Sequence, residues 1–341
     1  MINLLSDTVT KPTPGMLKAM MSAKVGDDVF NEDPTVIKLQ EKAADMFGME
    51  AALFCPSGTM TNQIALKVHT KPLDEVWCDV RSHIYQYEVG GYSFHSGIGI
   101  KMTDVEGGIV SVADLKALEH PVHDWLPRPK LIVLENTCNK GGGTCYDLQD
   151  MRDIYAYGKQ ENLALHLDGA RLFNAVVAKA YSPSEIGSCF DSISICLSKG
   201  LGAPVGSLLI GKRDFIAEAR RVRKVMGGGM RQVGYLAAAG MYALDHHVEK
   251  LEEDHHKARQ LANALARMEH VLECKKPETN IVLFEVSSEI GTAAEVCEKL
   301  KDRGVGAVPF GAQVIRLVTH MDVSMEDISQ ANLALQKVLN S

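Results

Sequence analysis

The sequence predicts an α/β protein, a large unit on a mainly parallel sheet followed by a smaller α+β unit. Three observations lead there. Short apolar runs alternate with helical periodicity over most of the chain, the pattern of strands joined by crossover helices. The 341 residues exceed what one core ordinarily fills, since single cores stop growing near about 250–300 residues. The texture then changes near His246, where a charged segment, HHVEKLEEDHHKARQLANALARM, expected as one long helix, leads into NIVLFEV, a further helix and QVIRLVTH. The expected division is 1–245 and 246–341.

Taken in order, residues 35–47 set Val36, Leu39, Ala43 and Phe47 on one helical face, and 59–69 form a second helix. Apolar runs at 51–55, 75–78, 131–135, 163–167, 192–197 and 206–210 read as strands. SKGLGAP separates the last two, a Gly/Pro turn that predicts an antiparallel pair within the sheet. No repeat, low-complexity tract or linker interrupts the series.

Composition excludes several classes of function. At 46% hydrophobic, the chain can fill a core and is not disordered. A formal charge of −7 speaks against nucleic-acid binding, which favours basic surfaces. No apolar run approaches the ~20 residues of a membrane helix. Asp7 stands where a signal peptide needs apolar residues. The 8 cysteines include no CxxC pair and read as reduced, mostly buried thiols, so no metal site is expected and the cytoplasm is the expected compartment. The pairs His246–His247 and His255–His256 could bind a metal, but a solvated helix face is the better expectation.

Six segments carry candidate chemistry, and each also has a bland role. In PSGTM, Ser57 can cap a helix whose N–H groups at Gly58, Thr59 and Met60 face an anion, or simply start a helix. In ALHLDGAR, Asp168 ends a buried strand where open α/β sheets bind ligands, or caps the next helix. Lys199, in SISICLSKGLGAPVGS, follows a strand within an uncharged stretch, as a Schiff-base lysine or as a solvated one. In RKVMGGGMRQ, the glycines allow a tight turn before Arg231, which would open a helix and reach a phosphate; a flexible loop is the alternative. Arg316, in VIRLVTH, shares a strand face with Val314 and Val318 and wants a bidentate anion, either a substrate carboxylate or a buried acid. His83, in SHIYQYE, could lie over a flat ring or be structural. Together, an anion-binding helix start, an acid and a lysine after strands, and two arginines are what pyridoxal phosphate and an amino-acid substrate require.

Over nearly its full length the chain resembles the low-specificity threonine aldolases, through SDTVTKPT, VGDDVF, SGTMTN, LHLDGAR, CLSKGLGAPVGS, GGGMRQ and IRLVTH. The resemblance implies the aspartate-aminotransferase fold (type I), with a mainly parallel seven-stranded sheet in the large domain. It implies that Lys199 carries pyridoxal 5'-phosphate, Asp168 meets its ring nitrogen, and His83 stacks on the ring. Ser57, Gly58 and Thr59 would hold the phosphate, with Arg231 from a neighbouring subunit. Ser6, Arg171 and Arg316 would grip the cofactor oxygen and substrate carboxylate. The implied activity is retro-aldol cleavage of threonine or allo-threonine to glycine and acetaldehyde, in a homo-oligomer that is at least a dimer and in the family usually a tetramer.

Three positions depart from the family pattern. Trp125, in HDWLPRP, stands where a histidine is common, with His123 two residues away. Cys138 replaces the histidine of ENTHN, and Phe30 replaces a tyrosine. All three are expected on the β-carbon side of the substrate pocket, which leaves His83 as the expected base. Alternatives are a β-eliminating lyase, an aldolase for β-aryl substrates such as phenylserine, and a non-catalytic vitamin B6-binding protein.

Overall fold

Seven strands form the main sheet of the computed structural model, which describes residues 1–340. They are β1 (Ala51–Cys55), β2 (Asp74–Asp79), β3 (Gly99–Thr103), β4 (Arg128–Glu135), β5 (Ala164–Gly169), β6 (Ser192–Cys196) and β7 (Ser207–Gly211). Their order is β1-β7-β6-β5-β4-β2-β3. β7 runs antiparallel to both β1 and β6, and every other pairing is parallel. The turn in SKGLGAP thus does link an antiparallel pair. It needs glycine at 206, where φ is +126° and a Cβ would lie 2.6 Å from the Phe54 ring.

Every residue of β6 and β7 is buried, which is why both read as unbroken apolar runs. Edge strand β3, GIKMT, has no such run, and periodicity alone did not disclose it. The helix Pro34–Phe47 starts on Asp33, whose carboxylate accepts from the N–H groups of Thr35 and Val36, and stops at Gly48 in the left-handed region. It buries Leu39 and Phe47 in the main core, where Phe54, Leu167, Ile193 and Leu208 also lie. Truncating one such phenylalanine to alanine costs about 3–5 kcal/mol.

Four antiparallel strands form a second sheet, ordered β10-β11-β9-β8: β8 (Val271–Cys274), β9 (Ile281–Val286), β10 (Val308–Pro309) and β11 (Val314–Val318). It has its own core around Leu261, Phe284, Leu317 and Leu335. The charged segment is not one helix from His246. One helix, Gly234–His246, ends there and the next, Leu251–Leu265, begins after a turn. Its histidines are only half a solvated face: His246 and His256 are exposed, His247 and His255 are not. His247 Nδ1 donates to Leu201 O (2.7 Å) and His255 Nε2 to Asn174 Oδ1 (3.0 Å), both rings buried.

The N-terminal arm joins the two cores. Ile2–Asn3 pair in parallel with Val305–Gly306, Leu4 sits in the second core, and Val318 N donates to Leu4 O at 2.9 Å. The arm then returns to the main sheet, where Thr10 Oγ1 donates to Lys199 O at 2.8 Å. Among the described residues, no helix is long and apolar enough to cross a membrane.

Candidate functional site

β4, β5 and β6 lie side by side and end together, and a cavity of about 480 Å³ opens at that end. This is the carboxyl edge where open α/β sheets hold ligands. Ser6, His83, Asp168, Arg171, Lys199 and Arg316 all line it. Six residues singled out in five separate segments thus converge on one space.

Asp168 is buried at the end of β5 and accepts from Asn62 Nδ2 at 2.8 Å and from Ala170 N at 3.2 Å. His83 begins a short helix, His83–Gln86, and its Nδ1 lies 2.9 Å from Glu88 Oε1. A ring bonded there as donor leaves Nε2 for the cavity. Burial disfavours the charged ring, but the Glu88 hydrogen bond and the nearby Asp168 and Glu135 prevail, and the pKa of His83 is raised.

The two arginines are not equivalent. Arg171 makes a bidentate pair with Asp7, Nε to Oδ2 at 2.7 Å and Nη2 to Oδ1 at 2.6 Å, both side chains buried. Burial would raise the Asp7 carboxyl, but the Arg171 guanidinium overcomes it and holds the pKa at about 2. Arg171 is therefore neutralised within the protein, and only Nη1 points elsewhere, 3.4 Å from Asn139 Oδ1. Arg316 has no carboxylate partner among the described residues. Its Nη1 donates to Asn139 Oδ1 (3.0 Å), its Nη2 to Leu5 O (3.1 Å), and its Nε is buried without an acceptor. Burial, with Arg171 nearby, lowers its pKa. A substrate carboxylate suits Arg316 better than Arg171.

Glu135 braces both halves of the cavity. It is the register partner of Asp168, so the two carboxyls share a face. Its Oε2 accepts from His83 N (2.7 Å) and its Oε1 from Asn139 N (2.8 Å), which ties the histidine to the residue that joins the arginines. Burial and the charge of Asp168 push its pKa up to about 7.

Four expected residues do not line the cavity. Ser57 caps the helix Gly58–His69, and its Oγ accepts the Met60 N–H at 3.2 Å, so only Gly58 and Thr59 keep free N–H groups there. Arg231 does not open a helix; it precedes Gly234–His246 in a loop, pairs with Asp27 at 2.8 Å over the Phe30 ring, and is 59% exposed. The three departures from the family pattern also lie elsewhere. Trp125 is 74% exposed and stacks on His123, and Phe30 is 69% exposed. Cys138 is 1% exposed, its thiol packed against Gly108 and its pKa raised by burial. Within this chain the outer cavity wall is instead Tyr87, Lys140 and Phe310. The Lys140 ammonium lies 4.3 Å from the Phe310 ring centroid and 5.7 Å from that of Tyr87.

Sequence reasoning missed Asp7, Asn62, Glu88, Glu135 and Asn139. All five stand inside or beside motifs that had drawn attention: SDTVTKPT, SGTMTN, SHIYQYE and ENTCN. The available signal was a run of polar residues beside apolar strand ends.

A profile of the beta-eliminating lyases matches residues 3–289. The chain is 44% identical to the low specificity L-threonine aldolase of Escherichia coli (strain K12), over 97% of each chain. It is 42% identical to the probable low-specificity L-threonine aldolase 2 of Arabidopsis thaliana, over 100% of this chain and 98% of that one. Among solved structures, it superposes on a threonine aldolase of Leishmania major with a TM-score of 0.85 at 22% identity, covering 99% of this chain and 100% of that one. A putative L-allo-threonine aldolase of Listeria monocytogenes EGD-E gives 0.81 at 23%, covering 99% and 96%. These two likenesses speak to the fold, the type I pyridoxal-phosphate fold.

Proposed function

The chain belongs to the low-specificity L-threonine aldolase family, among the beta-eliminating lyases, and on that premise we propose that it cleaves threonine or allo-threonine to glycine and acetaldehyde. Its cofactor is pyridoxal phosphate. One observation carries the reading: Asp168, Lys199 and an arginine with no acidic partner line the same cavity.

The residues present fit the cofactor. Asn62, bonded to Asp168, lies one helical turn from Gly58, about 6 Å along the axis, so one helix offers N–H groups at both places. Ser207 Oγ is buried without a partner, 3.6 Å from where a Cβ on Gly58 would stand. Gly58 and Thr59 would hold the phosphate at the helix start, Asp168 the ring nitrogen, and Lys199 the carbonyl carbon. Bound there, pyridoxal phosphate supplies the electron sink for breaking the Cα–Cβ bond.

The chain's own groups do the rest. Arg316 would anchor the substrate carboxylate and so select which bond at Cα is presented for cleavage. Ser6 Oγ accepts from Thr8 N (3.2 Å) and Thr8 Oγ1 (2.9 Å), which leaves its own O–H to donate into the cavity. His83 Nε2 takes the β-hydroxyl proton, and Glu88 steadies the ring meanwhile. Arg231, turned away from this chain's cavity, would reach the phosphate of a second copy, which supports a homo-oligomer, a dimer at least and in this reading a tetramer. Eight free cysteines, 7 of them buried, favour a reducing compartment, the cytoplasm. A two-part division is supported by the two separate cores, with the arm crossing between them, although Leu251 still packs in the main core, a few residues beyond 246.

The test is product analysis on purified protein with cofactor. Glycine and acetaldehyde from threonine or allo-threonine support the reading. Ammonia with a keto acid would support the β-eliminating alternative, and cofactor binding with no visible absorption change on adding glycine would support a non-catalytic protein. Phenylserine cleaved in preference to threonine would support the β-aryl alternative; Trp125 and Phe30, like Arg231, lie away from this chain's own cavity.

A further inference from the structure

Beneath the cavity, one side-chain amide serves two acids. Asn62 Nδ2 donates to Asp168 Oδ2 at 2.8 Å and to Glu88 Oε1 at 2.9 Å. One side-chain polar atom each of Asp168, Glu88 and His83 lies within 4.8 Å of the other two, and Asn62 and both acids are buried. Two buried carboxylates this close, with no donor between them, relieve their repulsion when one of them takes up a proton. Here the two amide hydrogens fill that place, one for each acid. Both acids then remain acceptors, Glu88 for the Nδ1–H of His83 and Asp168 for the N–H that the cavity brings against it.

The amide serves this purpose only if it cannot turn over. Its Oδ1 lies 3.2 Å from His166 Nε2, so His166 must carry its proton on Nε2. His166 Nδ1, 2.8 Å from Ser192 Oγ, is then an acceptor, and Ser192 in turn accepts from His69 Nε2 at 2.7 Å. Every direction in this chain of bonds follows from the first. Both rings are neutral, since burial lowers the pKa of His166 to about 3 and that of His69 to about 4. An amide does not relay protons, so the chain fixes orientation and is not a conduit.

We propose that Asn62 is a positioning residue that keeps Asp168 and Glu88 both free to accept, and that through Glu88 it holds His83 with its proton on Nδ1 and Nε2 toward the cavity. The groups facing this unit are Glu135 from β4, His166 from β5, Gln63 from Asn62's own helix, Tyr87 beside the His83 ring, and Lys199, Arg171 and Arg316 across the cavity. The inference rests on the cofactor reading only for what meets Asp168.

The experiment is an NMR titration of the histidine rings in the full-length chain, with and without pyridoxal phosphate. In the unaltered chain His83 should titrate above an ordinary histidine. In Asn62→Leu one of the two acids should take up a proton, so that one negative charge is lost and the His83 pKa falls by about 1. In a Glu88→Gln background, Asn62→Leu should leave His83 nearly unmoved, because one of the two acids is already gone. Glu88→Gln is sterically mild, since Gln63 Oε1 is buried without a partner and can turn to accept the new N–H. If Asn62→Leu does not fold, Asn62→Ser, with one O–H for two acids, should give about half that fall. An unchanged His83 titration in a folded variant, or the same shift with and without Glu88, overturns the proposal. No substrate enters the measurement, so a chain that cleaves no threonine yet titrates as expected refutes the aldolase reading and leaves this inference standing.

Discussion

The inner and outer walls of the cavity are built on opposite terms. The inner wall, with Glu135 and Asp168 on the cavity and Asp7, Asn62 and Glu88 behind them, is buried, and each of these side chains is hydrogen-bonded to a residue far away in the sequence. The outer wall, Tyr87, Lys140 and Phe310, is partly open, and its lysine is held only over aromatic faces, with no carboxylate partner among the described residues. Buried charge tolerates no vacancy, because a lost partner leaves an unpaired ion in low dielectric. A cation over a ring at an open site contributes about 0.5–1 kcal/mol and leaves room for replacement. The contrast teaches where substitutions can alter selectivity without loss of the fold.

The sharpest break comes at Lys199. Lys199→Ala should lower threonine cleavage by about 10³-fold or more, with the melting temperature nearly unchanged, as steady-state kinetics and thermal melts would show. Asp7→Asn should destabilise the chain by about 3–5 kcal/mol in urea unfolding, because it leaves Arg171 buried and unpaired. The pH dependence carries the same sign. The folded pKa of Asp7, about 2, is below the ordinary 3.8, so its contribution is present above about pH 4 and lost as pH falls through 2.

Glu135 works in the other direction. Its pKa of about 7 exceeds the ordinary 4.5, so its contribution is full below about pH 4.5 and lost as pH rises through 7, on the order of 3 kcal/mol. Glu135→Gln should start less stable at pH 5, where it lacks an acceptor for one backbone N–H, and the gap should narrow by pH 8 in paired melts. The smallest effect belongs to the outer wall. Lys140→Met should change the KM for threonine by less than about twofold and stability by no more than about 1 kcal/mol. A larger loss of stability there would erase the distinction between the walls.

The same distinction explains what the sequence disclosed. Asp168 and Lys199 were legible because an apolar strand that stops at a charged residue advertises both its burial and its end. β1, β6 and β7 were legible for the same reason, whereas β3, half exposed at the sheet edge, was not. Asp7 and Asn62 were not legible because their partners lie 164 and 106 positions away, and locally each resembles a cap or a helix residue. Trp125, Cys138 and Phe30 do not line this chain's own cavity. Aligned position specifies where a backbone runs, but not which way its side chain faces.

The arm that strings Leu4, Asp7 and Thr10 between the two cores has a consequence for synthesis. Leu5 and Arg316, which it brings into contact, are 311 positions apart, so the arm leaves the ribosome long before its docking strand exists. The main sheet can assemble as it emerges, but Arg171 stays without its full setting until β11 has been made and the arm is captured. Completion of the cavity thus waits until β11 has been translated, and a nascent chain stalled before β11 carries the strands of the main sheet but not the finished site.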